Sequence, residues 1–168
     1  MNIEEAIKTA IEYETKVRDL YQNAVDELKD EHGREIFRRL AEEEQSHVDY
    51  LHQKLNQWRT TGTVTAERLK TIVPPKALIQ REVSKMAGEM AEIDPDNDLQ
   101  MLKKALKLEI ETSAFYKTMV NTLPHDHQDL FARFIAIEDG HVSLVQAEID
   151  SLTQTGYWFD FLEIDLND

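Results

Sequence analysis

The sequence predicts an all-α protein, a four-helix bundle made of two helical hairpins joined by a long crossover. Three observations carry that reading. Apolar residues recur at steps of three and four over most of the chain, there are only five glycines and four prolines in 168 residues, and one hairpin pattern occurs twice. Glycine and proline usually make up roughly 12% of a chain, so the shortfall leaves few turns for a many-stranded fold. The length and the 41% hydrophobic content suit one domain, residues 1–168, able to bury a sizeable core.

Each element follows from its pattern. Ile3, Ala6, Ile7, Ala10, Val17, Tyr21, Ala24 and Leu28 form one stripe, which makes the first thirty residues a long amphipathic helix. The period pauses from Asp30 to Gly33 and resumes with Phe37, Leu40, Leu51, Leu55 and Trp58, and so short a break closes a helical hairpin over residues 1–59. Residues 60–97 read as the crossover. Thr60, Thr61, Gly62, Thr63 and Thr65 open it, Pro74 and Pro75 interrupt it, and Asp94, Pro95, Asp96 and Asn97 close it, with a short helix expected from about Lys76 to Ala91. A third stripe uses Leu102, Leu106, Tyr116, Val120 and Leu123. After Pro124 a fourth uses Phe131, Phe134, Val145 and Leu152, which completes a second hairpin over residues 98–155. From Gly156 the period is lost, and Phe159, Phe161, Ile164 and Leu166 interleave with Asp160, Glu163, Asp165 and Asp168. The tail 156–168 is therefore expected to be non-helical, lying on the bundle or on a second subunit, with Tyr157 to Phe161 serving packing or a dimer contact.

Composition narrows the function classes. Thirty-three acidic against nineteen basic residues give a net charge of -14, which repels phosphate backbones and anionic lipid, so neither nucleic acid nor membrane is an expected partner. With no cysteine, thiolate metal sites and cysteine nucleophiles are excluded, and any metal must be held by nitrogen and oxygen. The N-terminus carries Glu4 and Glu5 where a secretory signal needs a basic start and an apolar run, and the expected location is the cytoplasm.

The chemistry lies in residues that interrupt the apolar stripes from inside. Glu14 stands between Ala10 and Val17, and Glu109 between Leu106 and Tyr116. Glu44 with His47, and Glu138 with His141, form two Glu-x-x-His pairs whose spacing puts both side chains on one helical face, in each case the apolar face. The pattern repeats: Glu14 and Tyr21 recur as Glu109 and Tyr116 at an offset of 95, and Phe37, Glu44 and His47 recur as Phe131, Glu138 and His141 at 94. Counted from the turns at Glu31 and Pro124, the six polar residues lie 13 to 17 positions away. At about 1.5 Å per residue that spread is roughly one helical turn, so all six can meet in one layer. Four ionised carboxylates buried together need neutralising. Two divalent cations would balance them, and four carboxylates with two imidazoles is the ligand set of dinuclear sites in helix bundles. Oxygen and imidazole donors suit iron or manganese, with zinc possible as a substitute.

On Glu14, Tyr21, Glu44-Gln-Ser-His47, Glu109, Tyr116 and Glu138-Asp-Gly-His141, the chain resembles the rubrerythrin and ferritin-like di-iron carboxylate family over nearly its whole length. The resemblance implies a ferritin-like bundle holding two iron ions that react with hydrogen peroxide or dioxygen. It also implies Glu44 and Glu138 as bridging carboxylates, and Tyr21 and Tyr116 as hydrogen-bonding partners of the ligands. Typical members have a further Glu one turn beyond the third-helix ligand, where this chain has Thr112, so the iron movement linked to that Glu is not carried over. They also carry a rubredoxin domain whose iron is held by four cysteines, so electrons are expected here from a separate donor protein or from the substrate. Thr112 has two readings, as a pocket-lining residue or as helix packing.

The expectation is a di-iron oxidoreductase, a peroxidase or oxidase protecting against oxidative stress, assembled as a homodimer. The alternatives are a ferroxidase that handles Fe(II) as its substrate and a metal-free interaction bundle. A ferritin-type cage is disfavoured because the tail does not read as a packing helix. His32, His52, His125 and His127 lie near turns or off the ligand stripes and receive no role.

Overall fold

A computed structural model describes residues 1–86 and 94–163. Among these residues the chain is all-helical, with no strand. The first helix, α1 (Ile3–Ala24), is opened by Asn2, whose side chain accepts the Glu5 N–H while Glu5 accepts the Asn2 N–H. It ends in a 3-10 turn, Val25–Glu27. Asp30 then starts α2 (Glu31–Thr61) by accepting the N–H groups of His32 and Gly33 at 2.8 and 3.2 Å. Gly62, at φ 71°, ends it in the left-handed conformation that glycine adopts without strain. The remaining helices are α3 (Lys76–Lys85), α4 (Asp96–Thr122) and α5 (His125–Thr155), the last closed by Gly156 at φ 77°.

The core is divided in two. One apolar cluster joins the C-terminal half of α1 (Val17, Tyr21), the start of α2 (Phe37, Leu40), the start of α4 (Leu102, Ala105) and the end of α5 (Leu144, Val145, Leu152). The other joins the start of α1 (Ile3, Ile7), the end of α2 (Leu51, Leu55), the end of α4 (Tyr116, Met119) and the start of α5 (Phe131, Phe134). For those halves to meet, α1 must run against α2, and α4 against both α5 and α1. Each buried large side chain contributes about 1.5–3 kcal/mol. Between the two clusters, on all four long helices, lies a layer of charged residues, and this layer is the site.

Several boundaries differ from those the sequence suggests. The first helix stops at Ala24, not near residue 30, because the chain needs a 3-10 turn and then Leu28 and Lys29 to reach the Asp30 cap. Helix α2 continues to Thr61, since Gly62 rather than Thr60 supplies the stop. Helix α3 ends at Lys85, and the expected continuation to Ala91 lies partly outside the described residues. On α4 the buried line is Leu102, Ala105, Glu109, Thr112, Tyr116 and Met119, with Leu106 and Val120 half-buried at its flanks. The tail is not wholly irregular: Phe161–Glu163 form a 3-10 turn, while residues 164–168, including Ile164 and Leu166, lie outside the description.

The tail packs on the bundle through Trp158, Phe159 and Phe161, all buried. Buried Asp98 ties three segments together. Its carboxylate accepts the Lys29 N–H at 2.9 Å, the Asp30 N–H at 3.3 Å and the Trp158 indole N–H at 3.1 Å. The crossover is fastened in a similar way: the buried Lys54 ammonium donates to Glu67 and Thr65 at 2.8 and 3.1 Å, and Glu43 accepts the Ile72 N–H at 2.7 Å.

Candidate metal centre

Glu14 on α1, Glu44 and His47 on α2, Glu109 on α4, and Glu138 and His141 on α5 are all at most 2% exposed. Their positions follow from interrupting an apolar face: once that face packs inward, the side chain it carries goes inward too. The structure brings all six together. Donor atoms of Glu14, Glu44, His47 and Glu138 lie within 4.8 Å of one another, as do those of Glu44, Glu109, Glu138 and His141. The two groups share Glu44 and Glu138. His47 Nδ1 lies 3.6 Å from Glu14 and 3.3 Å from Glu44. His141 Nδ1 lies 2.8 Å from Glu44, 3.3 Å from Glu109 and 3.9 Å from Glu138. The two imidazoles face each other at 6.1 Å, with 16° between their planes.

Both tyrosines reach this layer, each from the opposite half of the repeat. Tyr21 on α1 donates to Glu109 on α4 at 2.6 Å, and Tyr116 on α4 donates to Glu14 on α1 at 2.7 Å. Thr112 is fully buried one turn from Glu109, but its hydroxyl donates to the Leu108 carbonyl of its own helix at 2.8 Å. That bond fits the helix-packing reading of Thr112.

One polar group beside the site was not legible in the sequence. Glu43, 7% exposed, accepts from Nε2 of His141 while also holding Thr71 and Ile72 of the crossover. It sits in the run Glu42-Glu43-Glu44, and its spacing of four from His47 was the available signal. The partner, however, is on another helix.

The electrostatics are those of a crowded carboxylate cluster. Burial pushes Glu44 up to about 8, and the charge of Glu14 adds to the push. Glu138 is driven well above the usual carboxylate range by burial and then by Glu14, Glu44 and Glu109. For Glu14 burial also acts upward, but its contacts with Glu44 and His47 outweigh it and leave the carboxyl below its usual range. Burial works against charging His47, yet Glu14 and Glu44 carry it up to about 10. His141 is raised likewise by Glu109 and Glu44 against the effect of burial. The Tyr21 and Tyr116 phenols are pushed well above their usual range, first by burial and then by Glu109 and Glu14 respectively.

The decisive test of fit is which polar atoms lack a partner. Among the described residues, ten buried side-chain nitrogens and oxygens have no hydrogen bond, and all but Glu148 Oε1 belong to these six residues. Unpartnered buried carboxylates cost several kcal/mol each, so a stable fold concentrates them only where something else satisfies them. Oxygen and imidazole donors without thiolate match hard or borderline divalent cations.

Fold and site together define a ferritin-like helical bundle with two overlapping groups of donors able to hold metal. Residues 5–149 match the family model for Rubrerythrin, and the chain belongs to the rubrerythrin family, whose members bind iron at a di-iron carboxylate site. No curated protein and no solved structure matches it. No helix among the described residues is long and apolar enough to cross a membrane.

Proposed function

We propose that this protein is a di-iron oxidoreductase that reduces hydrogen peroxide or dioxygen. The observation that carries the proposal is the convergence of six residues, which carry nine unpartnered buried polar atoms, into two groups that share Glu44 and Glu138. In this reading Glu44 and Glu138, common to both groups, would serve both metal positions. Glu14 and His47 would complete one position, Glu109 and His141 the other. Four carboxylates then balance two divalent ions, with both imidazoles neutral.

The chemistry that a bound iron pair supplies is two-electron reduction of the oxidant. The chain's own residues do the rest. Tyr21 and Tyr116 donate to Oε1 of Glu109 and of Glu14, holding each carboxylate in place while its Oε2 stays without a hydrogen-bond partner. The apolar clusters on either side exclude bulk water, which strengthens every charge interaction in the layer. The 168 residues contain no cysteine to hold an electron-transfer iron, so in this reading the electrons come from outside these residues.

The net charge of -14 supports a second reading, ferroxidase and iron handling, because an acidic surface attracts Fe(II). The two are separated on iron-loaded protein by following peroxide consumption with a reduced electron donor beside stoichiometric Fe(II) oxidation. Catalytic peroxide or dioxygen turnover supports the oxidoreductase. Oxidation that stops after a fixed number of Fe(II) equivalents, with no donor-dependent turnover, replaces it with the ferroxidase. Failure to bind two metal ions per chain overturns both.

A further inference from the structure

The ligands repeat between the two halves of the chain, but what stands behind the two histidines does not. Nε2 of His141 is bonded to Glu43, and Glu43 is itself held: its Oε1 accepts the Ile72 N–H at 2.7 Å and its Oε2 the Thr71 hydroxyl at 3.0 Å. The His141 ring is thereby fixed in orientation and tautomer, with Nδ1 directed at Glu44, Glu109 and Glu138. The offset of 94 that relates Glu44 to Glu138 and His47 to His141 relates Glu43 to Ile137, an aliphatic side chain with no acceptor. Nε2 of His47 is buried with no protein partner, and the nearest aromatic neighbour is Phe134, edge-on at 5.4 Å. One histidine is buttressed by a carboxylate that the crossover clamps; the other is held by packing alone.

Resting on the reading that the six residues hold two metals, we propose that the two metal positions are unequal. The position served by His141 binds more tightly and fills first, and Glu43 is the positioning residue responsible. The position served by His47 is the weaker, exchangeable one. A carboxylate behind a ligating imidazole raises its basicity and removes the freedom of the ring to turn, and loss of such a partner typically costs about 10- to 100-fold in metal affinity. The same clamp couples the crossover to the site, since Thr71 and Ile72 hold Glu43 and Glu43 holds His141.

The test is an anaerobic titration of the full chain with Co(II), followed by calorimetry and by proton NMR of the exchangeable imidazole N–H resonances shifted by the bound ion. The expected result is two steps, the first at least about tenfold tighter, with one shifted N–H at one equivalent that exchanges slowly with water because Glu43 covers it. Glu43→Ala should weaken the first step by about 10- to 100-fold, leave the second within a few-fold and speed exchange of that N–H. Glu43→Gln, whose amide oxygen still accepts from Nε2, should recover part of the loss. Two indistinguishable steps in the unaltered chain overturn the inference, as do unequal steps unchanged in a folded Glu43→Ala, while two equivalents bound leave the metal reading intact. No uptake of Co(II) overturns that reading and the inference with it. Should Glu43→Ala fail to fold, Glu43→Gln carries the same test: a first step as tight as in the unaltered chain overturns the inference, and a weaker one supports it.

Discussion

The Tyr116 hydroxyl on α4 donates to Glu14 on α1 at 2.7 Å, joining two residues 102 positions apart. Its repeat counterpart, Tyr21 to Glu109, crosses the same helix pair in the opposite direction at 2.6 Å. Each phenol thus belongs to one half of the repeat and serves a carboxylate of the other, and the two bonds hold α1 and α4 at a single register around the polar layer. Replacing either phenol strands a buried carboxylate oxygen. Tyr21→Phe and Tyr116→Phe should each lower stability by about 1.5–3 kcal/mol, the range for hydrogen bonds to charged groups. Denaturant unfolding of the two variants measures this, and a loss below about 0.5 kcal/mol in both would show that the bonds do not support the fold.

Removing a shared carboxylate should cost metal. Glu44→Ala or Glu138→Ala takes a donor from both groups at once, so each variant should retain at most one metal ion per chain. Elemental analysis of purified protein decides it, and two ions retained by either variant would remove the bridging assignment. Thr112→Glu places a seventh carboxylate one turn from Glu109 on a helix that accepts it well. The metal's optical spectrum should change; an unchanged spectrum means that position 112 does not reach the metal positions.

Metal removal should steepen the loss of stability with rising pH. In the metal-free protein Glu44 is raised from its ordinary 4.5 to about 8, so its contribution is complete below 4.5 and is lost as pH rises through 8. His47, raised from 6.5 to about 10, contributes fully below 6.5 and loses its contribution as pH rises through 10. Glu14 is lowered, so its contribution persists above 4.5 and is lost only as pH falls below that. Apo stability should therefore fall continuously from pH 5 to pH 9. Metal displaces these protons on binding, so the holo form should gain on the apo form as pH rises. At a hundredfold excess of free metal over Kd the gain is about 2.7 kcal/mol. Thermal unfolding of chelator-treated and metal-loaded protein at pH 5, 7 and 9 tests this, and equal midpoints at pH 7 would mean that the six residues do not form a metal site.

Gly33 should prove intolerant of a side chain for a reason outside its own helix. A Cβ there would lie 2.5 Å from the Trp158 ring, so the indole must move and give up its bond to Asp98. Gly33→Ala should destabilise by about 1–3 kcal/mol, as overpacking of a core does, and should expose the tail from Tyr157 onward. Limited proteolysis reads the exposure. Cleavage of the tail at an unchanged rate would show that Trp158 does not depend on that space.

How far the sequence could be read follows from the range of the interactions. Helical period is local, so the apolar faces of all four long helices were legible, and with them Glu14, Glu44, His47, Glu109, Glu138 and His141 as residues that a packed face must carry inward. The repeat and the count from each turn placed those six at one depth, because a helix rises by a constant amount per residue. Cap chemistry shifted several helix ends by two to six residues, and on α4 the rotation that buries Ala105 and Met119 leaves Leu106 and Val120 at the flanks, a choice made by the neighbouring helices. Only the tertiary structure decides that Tyr21 bonds Glu109, that Asp98 collects the N–H groups of Lys29, Asp30 and Trp158, and that Glu43 stands behind His141 while Ile137 occupies the equivalent position. Those pairings join residues 60 to 98 positions apart, and no periodicity within one helix records which side chain on another will meet it.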